Sequence, residues 1–361
     1  MSGWSGEAFF PIGVWLQSPG NAARYHAAGI NTYVGLWNGP TAAQLTALQS
    51  TGMRIICSQN ETALHHPAAS NIIAWMQPDE PDNGQRWGAR LGWGNPIPPG
   101  QIVAGYRRMK TNDATRPIFL GLGQGVAWHN WYGRGSRNRH PEDYPRYLEG
   151  CDIASFDIYP VNHSRAEVAG NLWYVPLGVE RLRAWTRDEK PVWNSVEVTG
   201  IYRPEGKPTP HEVRAEVWMA LIHGSRGIIY FAHQFKPTFS EAALLEDPQM
   251  LAAVTTLNRQ ITDLAPVLLS PVRTTGVTVT SQNPAQPIAV TVRESAGQTY
   301  IFAVAMRTST SQVNFKLSGV PKDPKVEVLG EKRTLQVNTS GWTDQFNAWD
   351  VHLYRVTANP P

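Results

Sequence analysis

A TIM (β/α)8 barrel followed by a small antiparallel β-sandwich is the fold class this chain predicts, on three observations. Eight short apolar runs alternate with helical stretches over the first 250 residues or so, which implies parallel βα units in the number and length of such a barrel. No glycine-rich phosphate turn follows the first run, which weighs against a doubly wound sheet. Beyond Ala265-Pro266 the texture changes to short, alternating, β-branched segments separated by Ser, Gly, Asn and Pro. The expected division is therefore 1–266 for the barrel and 267–361 for the sandwich.

Taken in order, Phe9–Leu16 reads as the first strand and Ala22–Ala28 as a short helix. Thr32–Trp37 is the second strand, and Thr41 is placed to cap a helix running to Ser50. Arg54–Ser58 and Ile72–Gln77 are the third and fourth strands. A loop rich in Gly, Pro and Trp spans 81–100, before a helix over Gln101–Thr111. Pro117–Leu122, Ile153–Tyr159, Pro191–Glu197 and Gly227–His233 complete the eight. A last barrel helix lies around Pro248–Leu264. The sandwich strands are expected over Thr274–Thr280, Ile288–Arg293, Thr299–Met306, Gln312–Leu317, Val326–Leu329 and Ala348–Tyr354.

Composition narrows the function. Hydrophobic residues make up 42% of the 361 and charged residues 17%, which is globular. A net charge of +3 is too small to argue for nucleic acid. No run is long enough to span a membrane. Cys57 and Cys151, each beside a buried-strand pattern, read as packing thiols. Fourteen Trp, concentrated in the first two-thirds, fit either core packing or a cleft that stacks sugars. The N-terminus lacks signal-peptide blocks, while sequons stand at Asn60, Asn162 and Asn338. A glycan on Asn60 would block a cleft, so a bacterial periplasmic or secreted protein with its leader removed is the expectation.

In such a barrel, catalytic groups project from the C-terminal strand ends. Those ends carry Trp15, Trp37 and Asn38, Asn60, Asp79 and Glu80, Asp157 and Tyr159, Glu197, and His233 and Gln234. Glu80 sits in Gln77-Pro78-Asp79-Glu80-Pro81-Asp82, where the prolines favour extended backbone at the residues before them. A second carboxylate beside it and partial burial both raise a carboxyl pKa, which suits a proton donor. Strands four and seven lie on opposite sides of a closed barrel, so Glu80 and Glu197 are expected to face each other across its mouth. Paired carboxylates across a cleft are what glycoside hydrolysis needs. The aromatic, basic loop 128–140 is read as solvated, or as a cleft wall in which Trp128 or Trp131 stacks sugars opposite Trp87 and Trp93. Glu61 is a weaker rival acid. His65, His66 and His233 match no zinc spacing, so neither metal nor cofactor is expected.

Three segments, Trp75–Pro81, Phe156-Asp157-Ile158-Tyr159-Pro160 and Trp193–Glu197, together with the helix running into Gly227–Phe231, make the chain resemble a retaining glycoside hydrolase of clan A. The resemblance implies Glu80 as acid/base, Glu197 as nucleophile, and Tyr159 hydrogen-bonded to Glu197. It implies double displacement on β-glycosidic bonds of an oligo- or polysaccharide. Two departures bear on the substrate: Asp79 stands where many members have Asn, and Ala232-His233-Gln234-Phe235 stands where a Trp platform is frequent. A carbohydrate-binding barrel without catalysis is the alternative reading. A lyase or metal hydrolase would need a Lys or a metal cluster at the strand ends.

Overall fold

The computed structural model describes residues 9–86, 94–318, 324–338 and 341–357. Trp87 and Trp93 lie outside them. Eight parallel strands close in sequence order: β1 (Ile12–Trp15), β2 (Thr32–Val34), β3 (Arg54–Cys57), β4 (Ile72–Met76), β5 (Ile118–Leu122), β6 (Ile153–Phe156), β7 (Val192–Glu197) and β8 (Ile228–Phe231). The helices are α1 (Ala22–Ala27), α2 (Ala42–Ser50), α3 (Glu61–His65), α4 (Pro99–Asn112), α5 (Tyr144–Leu148), α6 (Tyr174–Trp185), α7 (Pro210–Ile222), α8 (Pro248–Asp263) and α9 (Ala265–Leu268). Thr41 caps α2 through a reciprocal capping box with Gln44, and Thr209 caps α7 in the same way with Glu212. No described helix is long and apolar enough to cross a membrane.

Period-two alternation sorts each strand into two faces. Val34, Ile56, Ala74, Met76, Phe119, Ile153, Trp193 and Ile229 fill the barrel interior. Their neighbours face the helices in a larger cluster that includes Tyr33, Ile55, Trp75, Leu120 and Tyr230. Trp193 meets Phe119 edge-on at 5.7 Å. Such a ring fits only because Gly227 lies beside it, where a Cβ would come within 2.4 Å of the indole. Cys57 and Cys151 are buried and unpaired, and burial pushes both thiols up to about 12, as befits packing groups.

The C-terminal region packs a five-stranded sheet, order β10-β11-β16-β13-β14, on a three-stranded sheet, order β15-β12-β9. Here β9 is Val277–Ser281, β10 Ile288–Ser295, β11 Gln298–Ala305, β12 Ser311–Leu317 and β13 Lys325–Val328. The remaining strands are β14 Arg333–Leu335, β15 Gly341–Phe346 and β16 Val351–Thr357. The sequence reading missed β14, which is only three residues long, and β15, whose buried Trp342 and Phe346 are spaced by polar residues. The second apolar face of the larger sheet docks on the barrel chiefly through α7, where Phe302 of β11 meets Trp218 at 5.1 Å. A smaller part of that contact lies just beyond α8, with α9 against β10.

Candidate active site

β4 ends at Met76, and the chain then turns beneath the barrel mouth. The backbone of Glu80 donates to Gly121 O at 3.1 Å, and its carbonyl accepts from Asn83 N at 3.0 Å. The turn Glu80-Pro81-Asp82-Asn83 uses proline where φ near −65° is wanted. The price is that Glu80 itself takes φ +39°, left-handed rather than the extended backbone predicted from Pro81. That conformation costs roughly 1–3 kcal/mol and persists because β5 and the turn hold both sides of the residue.

Asp82 fastens the turn. Fully buried, it accepts from Gly123 N at 2.9 Å and Tyr144 Oη at 3.0 Å. Arg134, also buried, reaches the Asp82 carbonyl at 3.3 Å and pairs with Asp143 at 2.8 Å. Burial raises the Asp82 carboxyl, against the pull of Gly123 N, Arg134 and Tyr144.

The Glu80 side chain reaches a cavity of about 90 Å³ at the mouth, lined also by Trp15, Asp79, Asp157, Tyr159, Ser155, Ser195 and Phe231. Its carboxyl is hydrogen-bonded to Asp157 and to Asn83. Asn83 Oδ1 accepts from Trp131 Nε1 at 2.8 Å, which leaves the amide nitrogen for Glu80. Burial and then the charge of Asp82 raise the Glu80 carboxyl, while Asp157 and Asn83 oppose the rise. Asp157 is held well above the carboxylate range by burial, then by Glu80 and Asp79. Asp79 meets solvent at the mouth, yet the protein around it and the charges of Glu80 and Asp82 push it up to about 8. Gly123 lets β5 pass this close, because a Cβ there would lie 2.9 Å from Glu80 Oε1.

Glu197 is placed elsewhere. Fully buried at the end of β7, it accepts from Val161 N at 2.6 Å, Asn162 N at 2.8 Å and Asn162 Nδ2 at 2.6 Å. The carboxyl of Glu216 on α7 lies beside it, with both oxygens buried and without another hydrogen-bond partner. Burial pushes Glu197 up to about 7 against those donors. It is not among the residues that line the mouth cavity: Glu80 has Asp157 as its carboxyl neighbour there, and Glu197 has Glu216. Tyr159 hydrogen-bonds Asp157, not Glu197, and packs on Phe231 at 5.1 Å.

Several other expected contacts also differ. Asn60 caps α3 and donates to Pro40 O at 2.9 Å, so both ends of its amide are used in the scaffold. Trp128 is buried, edge-on to His163 at 5.0 Å, and forms core rather than cleft wall. Buried His233 lies 3.4 Å from Gln17 Nε2 and stacks on Phe235. Gln234 pairs through its backbone with Ser240 and shapes the loop that follows. Trp37 is 69% exposed, with exposed Asn38 beside it at φ +51°. Glu61 is an exposed helix residue 3.4 Å from His65.

Residues the sequence reading passed over complete the mouth. Asp82 and Asn83 follow Glu80 directly, and that proximity was the available signal. Tyr202 stacks on Phe235 with ring centroids 5.0 Å apart, and Phe239 lies 5.8 Å from Phe235. All three rings are exposed, which marks an aromatic rim. Among the described residues no group of three or more His, Cys, Asp or Glu is arranged to hold a metal ion.

No family model and no curated protein matches the chain. Among solved structures, it is similar to a glycoside hydrolase family 30 subfamily 8 xylanase from Clostridium acetobutylicum. The TM-score is 0.52 at 11% identity, covering 96% of each chain. An Anoxybacillus α-amylase gives 0.51 at 7%, with 98% of each covered. A Geobacillus thermoleovorans α-amylase complexed with acarbose gives 0.50 at 9%, covering 97% of this chain and 99% of that one. At such identities the likeness is one of fold. The chain has the (β/α)8-barrel and C-terminal β-domain architecture of these glycoside hydrolases.

Proposed function

We propose that the protein is a glycoside hydrolase acting on β-glycosidic bonds of an oligo- or polysaccharide, with Glu80 as the proton donor. The observation that carries this reading is the placement of Glu80: its carboxyl, raised by burial and by Asp82, reaches a cavity at the C-terminal end of the barrel that Asp79 and Asp157 also line. Cleaving a glycosidic bond requires an acid on the leaving oxygen, and a carboxyl raised above its ordinary range is suited to supply it. Asp157 holds the Glu80 carboxyl in place. It donates its proton to Glu80 when Glu80 is charged, steadying the carboxylate left after proton transfer.

Asp79, beside Glu80 and open to solvent, is the residue we assign to hydrogen-bond a hydroxyl of the bound sugar. Glu197 serves as the nucleophile of a double displacement only if its side chain leaves Val161, Asn162 and Glu216. The exposed rings of Tyr202, Phe235, Phe239 and Trp37 support an extended substrate, since sugar faces stack on such rings. The xylanase and the acarbose-bound amylase support the reaction class by fold.

Assay against a panel of aryl β-glycosides and polysaccharides tests this. Hydrolysis by the wild type, lost on the polysaccharides in Glu80→Gln, is the expected result. Carbohydrate binding with no hydrolysis of any substrate would point instead to a binding barrel.

A further inference from the structure

At the other end of the barrel a cavity of about 800 Å³ lies between the feet of β6 and β7 and strand β10 of the C-terminal domain. Trp193 lines it from above, and Phe119 beyond that ring belongs to the mouth cavity, so the interior layer separates the two. The foot is rich in cations. Arg183, Lys190, Arg226 and Arg293 all line it, against Asp188 and Glu189, which are exposed at its edge.

Two of these cations are accounted for. Arg183 pairs with Asp188 at 2.6 Å, and Lys190 donates to the carbonyls of Leu148 and Cys151 at 2.6 and 2.8 Å. The other two are not. Arg293 is only 2% exposed; its Nη1 donates to Ser270 O, and its Nε has no partner. Arg226 donates to Leu268 O at 2.7 Å. Neither makes an ion pair with a carboxylate among the described residues. Burial and the neighbouring charges of Arg226 and Arg183 pull the Arg293 guanidinium down to about 10.

A guanidinium offers five donors in a planar fork suited to oxyanions. Burying one beside another without a counter-charge is strongly unfavourable unless something negative sits between them. Sequence position explains how they meet: Arg226 precedes β8 at the barrel floor, while Arg293 belongs to β10, so the site exists only when the two domains are docked. We propose that this cavity is an anion site in which Arg226 and Arg293 grip a small oxyanion, either phosphate or the carboxylates of an organic acid, and so tie the β-domain to the barrel floor.

Thermal unfolding and calorimetric titration of the full chain test it, with inorganic phosphate in one arm and citrate in the other, each against potassium chloride at equal ionic strength. The expected result is saturable binding of at least one probe, raising Tm by roughly 4 °C at a hundredfold excess over Kd. The arm with the lower Kd identifies the oxyanion. Arg226→Gln should weaken that binding at least tenfold. Arg293→Met should abolish it while raising the Tm of the anion-free protein, because an uncompensated buried charge is gone. If Arg293→Met fails to fold, half-buried Arg226→Gln carries the test. Absence of saturable binding in both arms, or binding unchanged in Arg226→Gln, overturns the proposal.

Discussion

The carboxyl of Glu80 is hydrogen-bonded to that of Asp157 at the mouth of the barrel. Two carboxyls in contact cannot both ionise readily, so the pair keeps a proton above the usual carboxylate range and titrates as a unit. The interaction with Asp157 lowers the Glu80 carboxyl against the rise that burial causes. Asp157→Ala should therefore move the alkaline limb of kcat to higher pH, whereas Asp157→Asn, which keeps a donor, should leave it nearly in place. A limb that falls in Asp157→Asn would show that Asp157 acts as a charged neighbour instead.

Glu80→Gln should lower kcat on natural substrates by about 10²–10⁴. On aryl glycosides whose leaving groups need little protonation the loss should be much smaller. The carboxylate that works with Glu80 is identified by comparing Asp79→Asn with Glu197→Ala and following the product anomer by NMR. Reaction through Glu197 retains configuration and dies in Glu197→Ala. An inverted product with Glu197→Ala still active would remove Glu197 from the chemistry.

Asn83 and Trp131 should act on Glu80 without touching the sugar bond. Asn83 stabilises the charged form of Glu80, so Asn83→Ala should raise the alkaline limb and lower kcat about tenfold. Trp131→Phe, which frees Asn83 Oδ1, should shift the same limb less. A change confined to KM, with the pH profile untouched, would contradict this chain of contacts.

The Glu197–Glu216 pair makes stability depend on pH. Glu197 moves from an ordinary 4.5 to about 7 in the folded protein, so between those values the native state binds more protons than the unfolded chain. Stability should then fall as pH rises through this window, by up to about 1.4 kcal/mol per pH unit for each retained proton. Glu216→Gln replaces a carboxyl held well above its ordinary value by burial and Glu197 with a neutral amide, and should flatten the decline. Urea unfolding at pH 5 and pH 7.5 measures it. An equally steep decline in the variant would assign the effect to the mouth cluster.

The contact between α7 and the β-domain should dominate domain docking. Phe302 is fully buried against Trp218, so Phe302→Ala should cost about 3–5 kcal/mol. A chain ending at residue 266 should be insoluble or readily proteolysed, because that face of α7 would be exposed. A soluble, stable barrel alone would show that the interface is dispensable.

Sequence by itself determined the barrel. Apolar runs of strand length, separated by capped helices, report burial residue by residue, and burial period depends only on local order. For the same reason the Asp79-Glu80 pair could be placed at a strand end: its position follows from where β4 stops. What the tertiary structure decided is where each strand-end carboxyl turns. Glu80 and Glu197 look alike as acids closing apolar strands, but the turn held by Asp82 brings Glu80 to Asp157 in the mouth. The Val161–Asn162 amides and Glu216 draw Glu197 away from it. Those partners lie on other elements, and no periodicity records them. The aromatic rim and the meeting of Arg226 with Arg293 are of the same kind, since both arise from segments brought together only by closing the barrel and docking a second domain on its floor.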